Sequence, residues 1–382
     1  MSQNIENKMS EKTVLIVFPS VFSLNKMDDL EESITRILKI KKHGFVHIRK
    51  NESLIVIETA DPVLVSSTIG SLFGVDRIAI AKEVVNQFEM VLTTIVNTSM
   101  SLLLNGDKFY IKVEGNSPDY LPKDLEVTAT ANLIEKSTDL GIKVGSEVNH
   151  NRLLYTYLTK THAYICIFVD RGLGGIPYNS QRESILCCMF DELSAIACLQ
   201  SIKMGFDAKI VIGYSNDADL LKMAKMVNRI LLSIVHEKIT LYFCKVHKTQ
   251  DLLMKTLLTT YLASSIAKSK KIKHVALPIL PFVLPVWFVE DNIQAIFENG
   301  LTPWLPLSGM DASIIENSKQ LGLERYLTNL ESLCKLKFVK KNISKKKIRN
   351  EVARTLKSFK SISVTVGPKS VYDIIDSLRT NH

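Results

Sequence analysis

Glycine is scarce, 16 in 382 residues, well under the usual share of about 7%. Between Ile176 and Asn299 only Gly205 and Gly213 occur, so that stretch has no glycine-rich loop of the kind that lets backbone N–H groups cradle a phosphate. Cysteine is limited to Cys166, Cys187, Cys188, Cys198, Cys244 and Cys334. They form no C-x-x-C pair and no zinc spacing with histidine, which excludes a disulfide scaffold and a zinc module and leaves reduced thiols, mostly in cores. No long apolar run exists either. The most lipid-like stretch, Val275 to Val289, is interrupted by Pro278, Pro281 and Pro285 and falls short of the roughly 20 residues of a spanning helix. The opening residues MSQNIENKMSEK contain no apolar core of a secretory signal. A cytoplasmic protein with no membrane partner is expected.

What is present is ordinary globular composition, 46% hydrophobic and 23% charged, with 48 Lys+Arg against 39 Asp+Glu for a net charge of +9. The length suits two or three domains. The positive balance favours a polyanionic partner such as nucleic acid, although it also serves solubility.

The periodicities predict an α/β fold. A strand at Thr13–Phe22, a helix carrying Leu30, Ile34, Ile37 and Leu38, strands at Phe45–Arg49 and Leu54–Glu58, a helix at Pro62–Phe73 and a strand at Arg77–Val84 follow the split βαβ order of a ferredoxin-like domain, residues 1–86. A second α/β module, residues 87–171, has helices at Phe88–Leu104 and Asp124–Leu140 and strands at Lys108–Val113, Leu153–Tyr157 and Ala163–Asp170. The turn Gly172, Leu173, Gly174, Gly175, Ile176, Pro177 reads as a linker. Beyond it, strands at Ser184–Met189, Lys209–Gly213, Ile239–Cys244 and His274–Leu280 alternate with helices at Leu193–Lys203, Ala218–Val235, Asp251–Lys268, Asp291–Asn299 and Ala312–Leu321. That is the pattern of a doubly wound parallel sheet over 172–334, with ligands expected at the strands' carboxyl ends. Residues 335–382 form a basic extension. Lys335, Lys337, Lys340, Lys341, Lys345, Lys346, Lys347, Arg349, Arg354, Lys357 and Lys360 crowd its first part, as a phosphate-binding tail or as a solvated helix face.

The linker at Gly172–Pro177, placed between an α/β module and the first strand of a doubly wound sheet, resembles the tRNA 4-thiouridine synthetases (tRNA sulfurtransferases). Leu72, Phe73, Gly74, Val75 resembles the end of that family's ferredoxin-like domain, and Lys108 to Val113 the opening strand of its THUMP module. Leu305, Pro306, Leu307, Ser308, Gly309, Met310, Asp311 resembles its Pro-Leu-x-Gly-Met-Asp segment. Cys334, after Glu331 and Ser332, falls where members without a rhodanese domain carry a cysteine-bearing loop. The resemblance implies a ferredoxin-like domain, a THUMP-like domain and a Rossmann-like domain of the adenine nucleotide alpha hydrolase type. It also implies tRNA as ligand, and adenylation of a uridine carbonyl by ATP with Mg²⁺ before sulfur displaces AMP.

The family's loop Ser-Gly-Gly-x-Asp-Ser is replaced here by Cys187, Cys188, Met189, Phe190, Asp191 and Glu192. A Cβ where glycine allows close approach, and a carboxylate beside a pyrophosphate, both oppose triphosphate binding, so the ATP-dependent step is expected to be lost or much weakened. An apolar loop, Pro281–Trp287, stands where the family has a polar segment near the substrate. Asp191 is read as a ligand of Mg²⁺ or ribose, or as the cap of the following helix. Cys334, with Lys335 and Lys337 to lower its pKa, is a candidate nucleophile. Cys187 and Cys188 point to opposite strand faces and do not share a metal. No metal site is expected. Lys108, Lys112, Arg152, Lys160, Arg171 and the run Lys268, Lys270, Lys271, Lys273 are candidate phosphate contacts, and Tyr110, Tyr155 and Tyr157 candidate stacking platforms. Three functions follow: a tRNA-binding relative without adenylation, an active sulfurtransferase with an altered loop and an external sulfur donor protein, and a non-catalytic partner of an active paralogue. The family resemblance makes a homodimer reasonable.

Overall fold

In the computed structural model the described residues are 12–44, 46–246, 252–309, 312–326, 335, 338, 344–367 and 374. They form two compact units, Met1–Met27 with Lys41–Ser71 and Val75–Gly174, and Asp28–Ile40 with Leu72–Gly74 and Gly175–His382.

The first unit is built on β1 (Lys12–Pro19), β2 (Val46–Asn51), β3 (Leu54–Thr59), β4 (Val75–Val85), β5 (Lys108–Gly115), β6 (Lys143–Val144), β7 (Arg152–Leu158) and β8 (His162–Gly174). Among the described residues these make one eight-stranded sheet in the order β2-β3-β1-β4-β8-β7-β5-β6. Its first half, β2-β3-β1-β4, has the antiparallel order of a ferredoxin-like domain. Two helices join its strands here: α1 (Met27–Ile40), nearly all of which is counted with the second unit, and α2 (Pro62–Gly70). Proline occupies the first turn of α2, and the Asp61 carboxylate accepts the Leu64 N–H at 2.9 Å, both favourable where helix donors lack partners. The second half continues the same sheet through the β4–β8 ladder. There α3 (Phe88–Leu102) and α4 (Pro122–Lys136) bury Val91, Ile95, Leu125, Ala129 and Leu133 with Phe109, Ile111 and Val113 of β5. The alternation of β5 thus puts its apolar side inward and leaves Lys108, Tyr110, Lys112 and Glu114 on the other face.

The Gly172–Pro177 segment is more than a linker. Gly172 and Gly174 belong to β8 and pair beside Val75, and a Cβ on Gly172 would overlap the Val75 carbonyl oxygen.

The second unit holds a six-stranded sheet among the described residues, in the order β13-β12-β9-β10-β11-β14. Its strands are β9 (Ser184–Met189), β10 (Asp207–Tyr214), β11 (Lys238–Lys245), β12 (His274–Ala276), β13 (Thr302–Trp304) and β14 (Lys360–Thr365). All pairings are parallel except that of β14 with β11. The connecting helices are α5 (Glu192–Lys203), α6 (Asp217–Leu231), α7 (Leu252–Ser269), α8 (Val286–Phe297) and α9 (Ala312–Gln320), with α10 (Lys345–Leu356) preceding β14. β9 is buried from Ile185 to Met189, as befits a strand covered on both faces. The order reverses beside β9, where β12 lies on one side and β10 on the other, and ligands of such sheets bind at the carboxyl side of that switch point.

Besides the short β6, absent from the sequence reading, four features differ from it. The apolar segment 281–287 is a turn followed by the first turn of α8, which begins five residues before the expected Asp291. Strand β12 stops at Ala276 rather than Leu280. β13 was not foreseen. The basic C-terminal segment also gives α10 and β14: Ile348 and Val352 pack into the core around α7, and Val364 is buried.

Candidate functional site

At the switch point β9 ends at Met189 and α5 starts at Glu192. Asp191 is the N-cap. Its carboxylate accepts the Ser194 N–H at 3.0 Å, while the Ser194 hydroxyl accepts the backbone N–H groups of both Phe190 and Asp191 at 2.9 Å. The same hydroxyl lies 2.8 Å from the Asp191 carbonyl and from Asp191 Oδ1, so its single proton has an acceptor as well. This reciprocal capping box satisfies donors that an open anion site would leave bare. Ser194 is 2% exposed.

The charges here are matched from within. Lys222 pairs with Glu192. Lys255 of α7 lies 3.7 Å from Asp191 Oδ2, donates to the Phe190 carbonyl at 3.2 Å and sits 4.9 Å from the centre of the Phe190 ring. Tyr326 is held protonated to unusually high pH, first by burial and then by the fields of Asp191 and Glu192. The arrangement is a closed, neutralised strand-to-helix turn.

The candidate loop residues are buried: Cys187 is 2% exposed, Cys188 4% and Met189 0%. The two thiols lie on opposite faces. Cys187 is hydrogen-bonded to Cys198 of α5, whereas Cys188 belongs to the core of α7 with Cys244. Cys198 is pushed up by that bond to Cys187 and by burial, Cys188 by burial, and Cys244 by burial to about 12. A thiol is a nucleophile only as thiolate, so Cys188, Cys198 and Cys244 are packing residues at neutral pH. Cys334 lies outside the described residues, as do Met310 and Asp311. Among the described residues no three His, Cys, Asp or Glu side chains are grouped as a metal site.

The candidate phosphate contacts fall into separate groups. In the first unit Lys108 and Lys112 share the open face of β5, but Lys112 pairs with Glu114 at 3.0 Å and with Glu147 at 3.3 Å. Glu114 in turn accepts the Tyr155 hydroxyl at 2.6 Å. Arg152 pairs with Asp107 at 3.2 Å. Lys160 stands in the exposed turn after β7, and Arg171 lies opposite Arg77 on β8. Tyr155 is buried, under Arg77, and Tyr157 packs edge-on against Phe18. The buried ring of Tyr155 is not open to a base, whereas Tyr157 and Tyr110 are both half-exposed, the latter against His150. In the second unit Lys268, in the last turn of α7, and Lys270, Lys271 and Lys273, between α7 and β12, are all exposed, with Lys270 Nζ 5.1 Å from the Tyr242 ring centre. Sequence reasoning passed over Ser194, Lys222 and Lys255. Only Ser194 had a local signal, the Asp-x-x-Ser spacing before an apolar run; the lysines arrive from other helices.

Neither a protein-family model nor a curated protein matches the chain. Solved structures do. The protein PH1313 from Pyrococcus horikoshii Ot3 is similar with a TM-score of 0.62 and 18% identity over 81% of this chain and 100% of that one. A 4-thiouridine synthetase, solved as an RNA complex with bound ATP, is similar with a TM-score of 0.63 and 16% identity over 92% of this chain and 100% of that one. At such identities the likeness is one of fold: the chain has the multi-domain α/β fold of that synthetase.

Proposed function

We propose that the protein binds tRNA on the scaffold of the thiouridine synthetases without adenylating it. The observation that carries this reading is the Ser194 hydroxyl on the Phe190 and Asp191 N–H groups. A triphosphate loop works because bare N–H groups converge on the phosphates. Here the two at the strand-to-helix turn are already bonded, the three preceding residues run on as buried strand, and the two side chains that follow are carboxylates. Binding ATP there requires breaking the cap and bringing an anion beside Asp191 and Glu192, whose cations Lys222 and Lys255 are engaged. Asp191 is likewise occupied as cap, leaving little for Mg²⁺. The residues do not fit ATP with its metal.

For RNA the support is electrostatic and comparative. The chain carries +9 overall and a compact run of exposed lysines at Lys268, Lys270, Lys271 and Lys273, and a protein of the same fold was solved with RNA. In this reading residues 1–86 and 87–171 are the ferredoxin-like and THUMP-like domains, residues 172–334 supply the sheet and its lysine turn, and residues 335–382 add cationic surface. The chain acts in the cytoplasm, with a homodimer compatible.

The test is equilibrium dialysis of radiolabelled ATP with Mg²⁺, with and without tRNA, alongside an assay for AMP. No retained nucleotide and no AMP are expected. AMP formed only with tRNA present contradicts the proposal and points instead to a sulfurtransferase with an altered loop and an external sulfur donor.

A further inference from the structure

From Val275 to Ser318 this basic chain contains no lysine, arginine or histidine, while Glu290, Asp291, Glu298, Asp311 and Glu316 all occur there. α8 lies within this stretch. Its inner face is conventional: Phe288, Asn292, Ala295 and Ile296 are buried in the second unit. Its exposed side carries large apolar groups as well, alongside Glu290, Asp291 and Gln294. Val286 is 69% exposed and Phe297 60%, Val289 and Ile293 between them are partly buried and pack against the core of the second unit, and Phe282 in the preceding turn is 53% exposed. Val286, Val289, Ile293 and Phe297 follow one another at three- and four-residue spacing, which stacks them in one stripe. Large apolar side chains left exposed along one stripe have the character of a surface that another molecule covers. Glu290 and Asp291 are exposed beside it, and Glu298 at its far end pairs with Lys345 at 3.4 Å.

The charge decides what covers it. A polyanion is repelled by this rim. A second copy meeting α8 to α8 about a two-fold axis sets Glu290 and Asp291 against their own kind, which is unfavourable at an isologous contact. We infer that the outer face of α8, with Phe282, docks a protein partner whose contact segment is an amphipathic helix with apolar anchors flanked by lysine or arginine. The apolar stripe supplies the buried centre of such an interface and the acids its oriented rim. This site is separate from the RNA reading and stands or falls without it.

The test uses the full chain and two fluorescent synthetic peptides with the same leucines at helical spacing, one with lysine flanks and one with glutamate flanks. Anisotropy is followed across salt. The lysine-flanked peptide is expected to bind saturably and more weakly as salt rises, and the glutamate-flanked one not to bind. The variant carrying Val286→Lys and Phe297→Lys changes only exposed side chains, so it keeps its circular dichroism, and it should bind the lysine peptide about tenfold more weakly or worse. Absence of binding, equal binding of the two peptides, or binding unchanged in the variant overturns the inference. Self-association of the chain that disappears in the variant also overturns it, by giving the face to a second copy.

Discussion

Ser194 has the most consequential side chain at the switch point, because one hydroxyl satisfies two backbone donors and completes the cap of α5. Ser194→Ala leaves the Phe190 and Asp191 N–H groups without a partner and is expected to lower stability by about 1–2 kcal/mol, measured by urea unfolding. Lys222→Ala removes one partner of a partly exposed pair and should change stability by under about 1 kcal/mol. Asp207 offers a pH test. Burial opposes its charge, but Lys209 at 2.6 Å and the Tyr178 hydroxyl at 2.7 Å outweigh burial and hold its carboxyl below the usual range. A depressed carboxyl pKa contributes stability that is present above the unfolded value and lost as pH falls through the folded one. Tyr178→Phe lessens the depression, so it should be less stable than wild type at neutral pH, with the gap narrowing as pH falls through the acid range. Unfolding curves at several pH values read this directly, and a gap that widens toward acid contradicts it.

Elements were legible where one residue type repeats with a clear period. The continuous apolar run of β9, the alternation in β5 and the stripe of Leu30, Ile34, Ile37 and Leu38 in α1 each placed their element to within a few residues. α8 was started late because Pro281 and Pro285 read as a loop, whereas Pro285 is the N-cap of the helix that follows. β14 was missed because KSISVT is short and half polar, and its place depends on the edge that β11 offers. Lysine density likewise concealed that Ile348 and Val352 face the α7 core. Ile348→Ala should therefore cost about 2–4 kcal/mol and be seen as a lowered melting temperature, whereas Lys346→Ala on the exposed face of the same helix should leave it unchanged. Of the candidate site, Asp191 as a cap and the opposed thiols of Cys187 and Cys188 were readable from local rules. The lysines that neutralise the loop were not, since Lys222 and Lys255 come from helices α6 and α7, distant in the chain.

For the whole molecule, two sheets of different kind share one chain, and charge is distributed unevenly along it. Cations crowd the α7–β12 turn and α10, while the stretch from Val275 to Ser318 has none. A polyanion held by the cationic surfaces should bind with an affinity that falls steeply as counterions are added. The most direct measurement is tRNA binding by filter retention from low to moderate salt, with ATP and Mg²⁺ present and absent, for wild type and for a variant with Lys268, Lys270, Lys271 and Lys273 each changed to Gln. The account predicts tight binding that weakens steeply with salt, is unaffected by ATP, and in the variant is weaker with a shallower salt slope. Binding that requires ATP, or no binding at low salt, would contradict it.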